Sequence, residues 1–303
     1  MTSRRNFSRI LLHTVLLATS LIMAYPLIFG MLASFMTQEA YQSMSFPWLP
    51  IPTEPTLVHY QRIFNMQTNV PRWIFNTVVR IVWYCVVPGT IAVWCGYVFA
   101  RLQFKGRDTV FVIILASMMI PAIVYAIPTY IMMARFPLAG GNDLMGQGGH
   151  GFIGEWPSLL LPTLVNAYFI FLMRQTFWSI PNDFEEAARI DGANTLQVMR
   201  HVYLPMILPA ITVMVIFQSV AVWNDYLWPL LTVASNEELW PLALGFQRAA
   251  VMGSQVKGLP YGMGQNYPFV FMLATVALLP IVALFFWLQK YFVEGVQGFA
   301  IKG

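Results

Sequence analysis

The chain has 303 residues, of which 58% are hydrophobic, 15% aromatic and only 10% charged, with a net charge of +4. A mean hydropathy of +0.62 with a pI near 9.1 excludes an ordinary soluble domain and describes a polytopic membrane protein. The 17 Lys and Arg are dispersed along the chain, which speaks against a nucleic-acid partner, whose basic patch would cluster on one soluble face.

Crossing about 30 Å of hydrocarbon takes about 20 helical residues. Lipid offers no partner to an open backbone group, and the apolar runs are continuous rather than alternating as in a barrel. The predicted fold is therefore all-α: one transmembrane domain over 1–303 with six spans, at about 11–35, 74–100, 110–134, 159–177, 207–232 and 269–292. The first span follows Arg4, Arg5 and Arg9 and exceeds an ordinary signal h-region, so it is read as uncleaved. A proline-dense FPWLPIPTEP comes next, then TLVHYQRIF, whose spacing predicts a short helix at the membrane face.

The second span carries Arg80, read as a snorkelling or gating charge with no assignable partner, and both cysteines. Cys85 and Cys95 lie about 15 Å apart on one helix, too far for a disulfide. The loop after the third span, PLAGGNDLMGQGGHGFIGEWP, is glycine-rich and predicted to be flexible or irregular. Between the fifth and sixth spans, residues 235–266 form a loop long enough to reach a partner outside the membrane.

A cytoplasmic N-terminus places eleven basic residues inside: Arg4, Arg5, Arg9, Arg101, Lys105, Arg107, Arg174, Arg189, Arg200, Lys290 and Lys302. Five remain outside: Arg62, Arg72, Arg135, Arg248 and Lys257. The positive-inside rule selects this orientation, with both termini and residues 181–205 in the cytoplasm. His13, His59, His150 and His201 are scattered, so no metal-ligand spacing is present. No paired acid and base or assisted nucleophile marks a catalytic site, and no G-x-x-x-x-G-K-[ST] loop marks an ATP site.

The polar stretch PNDFEEAARIDGANTLQVMRHVYLP at 181–205 stands out in so apolar a chain. Pro181 ends the fourth span, Asn182 or Asp183 is placed to cap a new helix, and Glu185 or Glu186 falls in capping-box position. A helix over about 184–190, a bend at Asp191 and Gly192, and a second helix from about Thr195 to Leu204, stopped by Pro205, make a compact knob. Small Ala187 and Ala188 admit a partner's backbone, and Glu186 and Arg189 offer charge to its rim.

Intramembrane polar residues normally face a bundle interior or a wet cavity. Asn166, Gln218, Asn224 and Asp225 are therefore candidates for a ligand path, together with Tyr125, Tyr130, Trp223, Tyr226 and Trp228, whose rings suit sugar C–H faces. The plainer reading is that such aromatics anchor the interface and such polar groups join helices.

The spacing Glu186, Ala187, Ala188, then Gly192, then Val202, Leu204 and Pro205 resembles the EAA loop of ATP-binding-cassette importer permeases, departing only at Val202. LMRQTFWSIPNDFEEAARIDGA, WNDYLWPLL and QKYFVEGVQGFAIKG resemble the second permease subunit of carbohydrate importers of the maltose and glycerol-phosphate type. The glycine-rich second external loop is longer than usual for that group. The resemblance implies a type I importer permease fold in a bacterial cytoplasmic membrane, with a coupling helix at 181–205. It also implies partners: a related permease, two ATPase subunits that carry ATP and Mg, and an extracytoplasmic solute-binding protein. The coupling residues it implies are Glu186, Ala187, Ala188, Arg189, Asp191, Gly192, Leu204 and Pro205, and this chain itself is expected to bind no cofactor. A permease for a non-sugar solute would share the loop without WNDYLWPLL or the C-terminal motif. A secondary transporter would share only the hydropathy and would show broken-helix repeats with midplane ion sites.

Overall fold

The computed structural model describes residues 2–44, 48–64, 69–252 and 266–300. Among them the chain is all-α, with no strand. It forms two compact units, one from residues 1–71 with 245–281 and the other from 72–244 with 282–303.

In the first unit α1 (Thr2–Ala33) is strongly apolar over Arg9–Ala33, and Ile10, Leu17 and Ile22 are all exposed. Such a helix is made for lipid or for another subunit. Its C-terminal end is tied down: Phe29 meets Phe271 edge-on at 5.7 Å, and the Ser34 hydroxyl lies 2.7 Å from Tyr60 Oη. Phe271 belongs to α14 (Tyr267–Ala300) and Tyr60 to α3 (Val58–Phe64), the short helix predicted after the prolines. The five-residue α2 (Gln38–Gln42) is capped by Thr37, whose hydroxyl accepts from the Ala40 amide.

The second unit is built on α4 (Val70–Arg101), the 32-residue second span. Against it pack α5 (Arg107–Ser117), α8 (Ala167–Ser179) and α11 (Leu204–Trp223) around Tyr97, Phe111, Ile170, Met173, Phe177, Tyr203 and Ile207. The α4–α8 crossing is close because Gly96 has no side chain. A Cβ there would lie 2.4 Å from Met173 Cβ and 2.9 Å from the Arg174 nitrogen. Small residues let membrane helices approach in this way. Gly96→Leu is expected to force the crossing open and to destabilise the unit by about 1–3 kcal/mol, the usual range for overpacking, read as a lowered unfolding temperature in detergent. Arg174 is held between the Phe111 and Trp178 rings, 4.0 and 4.6 Å from their centroids.

Three of the apolar windows are interrupted. The third consists of α5 and α6 (Ala122–Ala134), which meet at 100° across Met118–Pro121. The fourth holds α7 (Trp156–Leu160), then non-helical residues 161–166, then α8. The fifth is broken at 224–226, between α11 and α12 (Leu227–Val233). The last carbonyls of α7 are not left open: Trp228 Nε1, Tyr84 Oη and Trp83 Nε1 donate to the carbonyls of Ser158, Leu159 and Leu160 at 2.8, 2.7 and 2.9 Å. Three aromatic donors thus satisfy groups that lipid could not.

The glycine-rich loop is irregular, as expected, but it is pinned rather than loose. The Asn142 amide donates to the carbonyls of Ala134 and Phe136, both at 3.0 Å, and accepts from the Gly149 nitrogen at 2.9 Å. Gly154 donates to the Thr232 carbonyl at 2.8 Å. After α12, residues Glu237–Leu239 form a 3-10 turn, and Asn76 of α4 donates to the carbonyls of Glu238 and Trp240. The chain then enters α13 (Leu242–Met252). Much of the loop 235–266, residues 253–265, lies outside the described residues.

Candidate functional site

The polar stretch folds as a knob. Its first helix, α9, covers Asp183–Ile190. It ends in a paired bend: Ala193 N–H donates to the Ala188 carbonyl at 2.9 Å and Gly192 N–H to the Arg189 carbonyl at 3.0 Å. This is the Schellman closure, and it needs a left-handed residue at its centre. Gly192 supplies it with φ +84°. A Cβ added to Gly192 would meet nothing within 4 Å, so the requirement for glycine is one of backbone conformation and not of space.

The cap differs from the expectation. The Asn182 side chain makes no cap bond to α9, because it accepts from Arg101 at the end of α4. The true capping box lies at the second helix, α10 (Thr195–Val198), where Asn194 Oδ1 accepts from Gln197 N at 2.9 Å and Gln197 Oε1 from Asn194 N at 2.8 Å. Nor does Pro205 stop the helix at Leu204. A π turn over Met199–Tyr203 carries it straight into α11. Pro205 has no N–H, and its ring crowds the preceding turn; a widened turn, with Leu204 N–H reaching back to the Met199 carbonyl, passes that obstruction without a break.

Glu185 turns inward. Tyr203 Oη donates to its Oε2 at 2.5 Å, and Tyr97 Oη to its Oε1 at 3.3 Å. Arg189 Nε and Nη2 donate to the same Oε1 at 2.9 and 2.6 Å. Burial pushes this carboxyl up, but the bonds from Tyr203, Arg189 and Tyr97 and the Arg189 charge outweigh it, and the net direction is down. One carboxylate therefore ties α9 to α4 through Tyr97 and to the π turn through Tyr203. Arg101 adds a second tie: its guanidinium donates to the Phe177 carbonyl at 2.6 Å, to the Ile180 carbonyl and to the Asn182 side chain. It also lies 5.2 Å from the Tyr203 ring centroid. It closes the C-terminal end of α8 as a basic group should.

The outward face is different. Glu186 and Ala187 are exposed, and so are Asp191, Leu204 and Pro205. Ala188 is half-buried against the chain's own core, and Arg189, itself exposed, is ion-paired with Glu185. Among its exposed polar groups the knob also presents three large apolar side chains: Ile190 is 86% exposed, Leu196 64% and Phe184 49%. These three, with Glu185, Tyr97, Tyr203 and Arg101, were not singled out by the motif. Ile190, Leu196 and Phe184 had a signal, apolar side chains flanking a glycine bend in a stretch too polar for a span; the contacts of Glu185, Tyr97, Tyr203 and Arg101 had none.

The three helix breaks meet at one cleft of about 1000 Å³. Met118 and Pro121 from the first break, Thr163 and Asn166 from the second and Asp225 from the third all line it. Irregular backbone at membrane depth is tolerated where it borders such a cavity. Of the expected path residues, Tyr125, Asn166, Gln218, Asp225 and Trp228 come together here, joined by Tyr168 and Arg80. Tyr130, Trp223, Asn224 and Tyr226 do not line it. Trp223 is buried, and the Asn224 amide donates back to the Val220 carbonyl at the end of α11. Asn166 also caps α8 by accepting from Phe169 N at 3.3 Å. Arg80 has a partner after all: its Nη2 donates to Asp225.

Residues 90–298 match the family described as binding-protein-dependent transport system inner membrane component. The chain belongs to that family. It is similar to the arabinooligosaccharides transport system permease protein AraQ of Bacillus subtilis (strain 168), 28% identical over 97% of this chain and 96% of the relative. It is 29% identical to the maltodextrin transport system permease protein MdxG of the same organism over 100% of this chain and 99% of that one. A chain of a bacterial ABC transporter involved in the import of the acidic polysaccharide alginate superposes with a TM-score of 0.77 at 25% identity, covering 96% of this chain and 98% of that chain. This inner membrane component is thus a non-catalytic membrane subunit with a type I ABC importer permease fold. The number of complete spans is the one element of that expectation for which helix length does not suffice. Among the described residues three helices qualify alone, and a fourth span qualifies only if the bent α5–α6 pair is counted as one.

Proposed function

We propose that this chain is one of two permease subunits of an ATP-driven importer for a sugar or oligosaccharide in a bacterial cytoplasmic membrane. Six spans over 1–303 place both termini and the knob inside. ATP and Mg bind to two separate ATPase subunits, and an extracytoplasmic solute-binding protein delivers the cargo, with the loop 235–266 as its contact. The sugar class is supported by the substrates in the names of the relatives.

The observation that carries the mechanism is the two-sidedness of the knob. Its outer face exposes Ile190, Leu196 and Phe184, a surface for an ATPase groove, with Glu186 and Asp191 at its edge. Its inner face is fastened by Glu185 to Tyr97 and Tyr203. Movement of an ATPase subunit is then passed as a rigid displacement to α4, α8 and α11 instead of being absorbed by a loose loop. These helices carry the walls of the cleft, so rocking them opens it to one side of the membrane and then the other. Tyr125, Asn166, Gln218, Asp225 and Trp228 are the path residues it exposes to cargo.

Purification from the native membrane is expected to bring down an ATPase whose hydrolysis rises when sugar-loaded binding protein is added to the reconstituted assembly. An assembly without ATPase would sink the proposal.

A further inference from the structure

Arg80 is a cation in the first half of a 32-residue helix, and its side chain is 1% exposed. Its Nη2 is taken by Asp225, while its Nε and Nη1 are buried without a hydrogen-bond partner. The guanidinium lies 6.0 Å from the Tyr84 ring centroid. Asp225, at the break between α11 and α12, is 26% exposed. Among the described residues lining the cleft, these two are the only charged ones. The remaining polar lining consists of uncharged groups: the amides of Asn166 and Gln218, the phenols of Tyr125 and Tyr168, and hydroxyls such as Thr129.

We infer that the wall this chain contributes to the cleft is built for an uncharged glycan, with Asp225 cancelling Arg80 so that no net charge faces the cargo. The inference rests on the cleft being the sugar path. A cargo carboxylate could engage the guanidinium only by evicting Asp225. That would part the Asp225 carboxylate from a cation that is itself 1% exposed, and breaking such a pair without replacing both partners is strongly unfavourable. A neutral sugar meets no such conflict. Its hydroxyls bond to amides and phenols, and its C–H faces lie on rings such as Trp228, whose N–H is already committed to the Ser158 carbonyl. The structurally similar transporter for acidic alginate gives the contrasting cargo.

The test uses the complete assembly of both permeases and the ATPases in lipid nanodiscs, without binding protein, so that selectivity is read at the membrane. Equilibrium binding is measured for two probes of equal length, a maltodextrin oligosaccharide and an alginate oligosaccharide. The wild type is expected to favour the neutral probe by at least about tenfold. Asp225→Asn leaves the Arg80 charge unneutralised and should shift that preference toward alginate by about tenfold or more; the double variant R80Q/D225N, neutral again, should restore it. A pair with only a structural role would lower both affinities in parallel in D225N and leave the ratio unchanged, which would overturn the inference. Equal binding of both probes by the wild type would also overturn it while leaving the sugar path intact. Binding of neither probe would remove the sugar path, and the inference with it.

Discussion

Gly192→Asn is expected to keep most of the coupling between ATP hydrolysis and uptake, whereas Gly192→Val inserts normally but loses at least about tenfold in sugar moved per ATP. The ordering follows from the backbone. At φ +84° a residue with a Cβ costs about 1–2 kcal/mol, asparagine least among them and β-branched residues most. Because nothing lies within 4 Å of the missing Cβ, size is not the variable, and alanine should fall between asparagine and valine. If the bend relaxes to avoid the strain, the Ala193–Ala188 and Gly192–Arg189 closures are lost, and with them the fixed angle between α9, which carries Ile190, and α10, which carries Leu196. Uptake and hydrolysis measured together in proteoliposomes separate this from misfolding, since an uncoupled assembly still hydrolyses ATP. Wild-type coupling in the valine variant would contradict the assignment of the knob.

The second large effect is expected at Glu185, the glutamate beside the EAA motif rather than within it. Glu185→Ala leaves the Tyr97 and Tyr203 hydroxyls without their acceptor and Arg189 without its ion pair. Hydrogen bonds to a charged group contribute about 1.5–3 kcal/mol each, enough to let α9 detach from α4 and the π turn. ATPase activity should persist while uptake falls more than tenfold. Glu186→Ala, which alters only an exposed side chain, should leave the membrane subunit's own stability unchanged and act only through ATPase affinity. Glu185→Gln keeps an acceptor without the charge and should fall between wild type and alanine.

The pH dependence has a definite sign. The native Glu185 carboxyl is held below its ordinary range, so its stabilising contribution is fully present above the unfolded-state value of about 4.3. It is lost as pH falls through the lower native value. The knob should therefore stay docked at neutral pH and loosen only in acid. The Gln variant, which has no carboxyl there to protonate, should lack that step in hydrogen exchange of α9. An identical acid transition in wild type and E185Q would show that Glu185 does not hold the knob.

How legible these features were in the sequence depended on the range of the interactions. The knob was readable because Pro181, Gly192 and the charges between them act on their own local backbone. Which glutamate faces inward was not readable. That depends on Tyr97 and Tyr203, the first of them 88 positions away, and on an arginine whose own direction is set by the same contact. The apolar windows were likewise readable from composition. Their interruptions were not, because a break inside a span is sustained by distant donors: Tyr84 and Trp228 reach the carbonyls of α7 across 75 and 70 positions. Arg80 and Asp225, each conspicuous alone, are 145 positions apart, and nothing local announces their pairing.

The sequence by itself determined that this chain is an all-helical membrane protein with a polar, bent element at 181–205 and no phosphate-binding loop, because hydropathy and glycine-dependent backbone geometry are local properties. Only the tertiary structure decided that Glu185 and not Glu186 fastens that element, that Asn194 and not Asn182 forms the capping box, and that three helix breaks share one cleft. The first and last of these choices rest on satisfying polar groups away from water with partners brought within reach only when α4, α8 and α11 pack together, whereas Asn182 is lost as a cap because Arg101 of α4 takes its side chain.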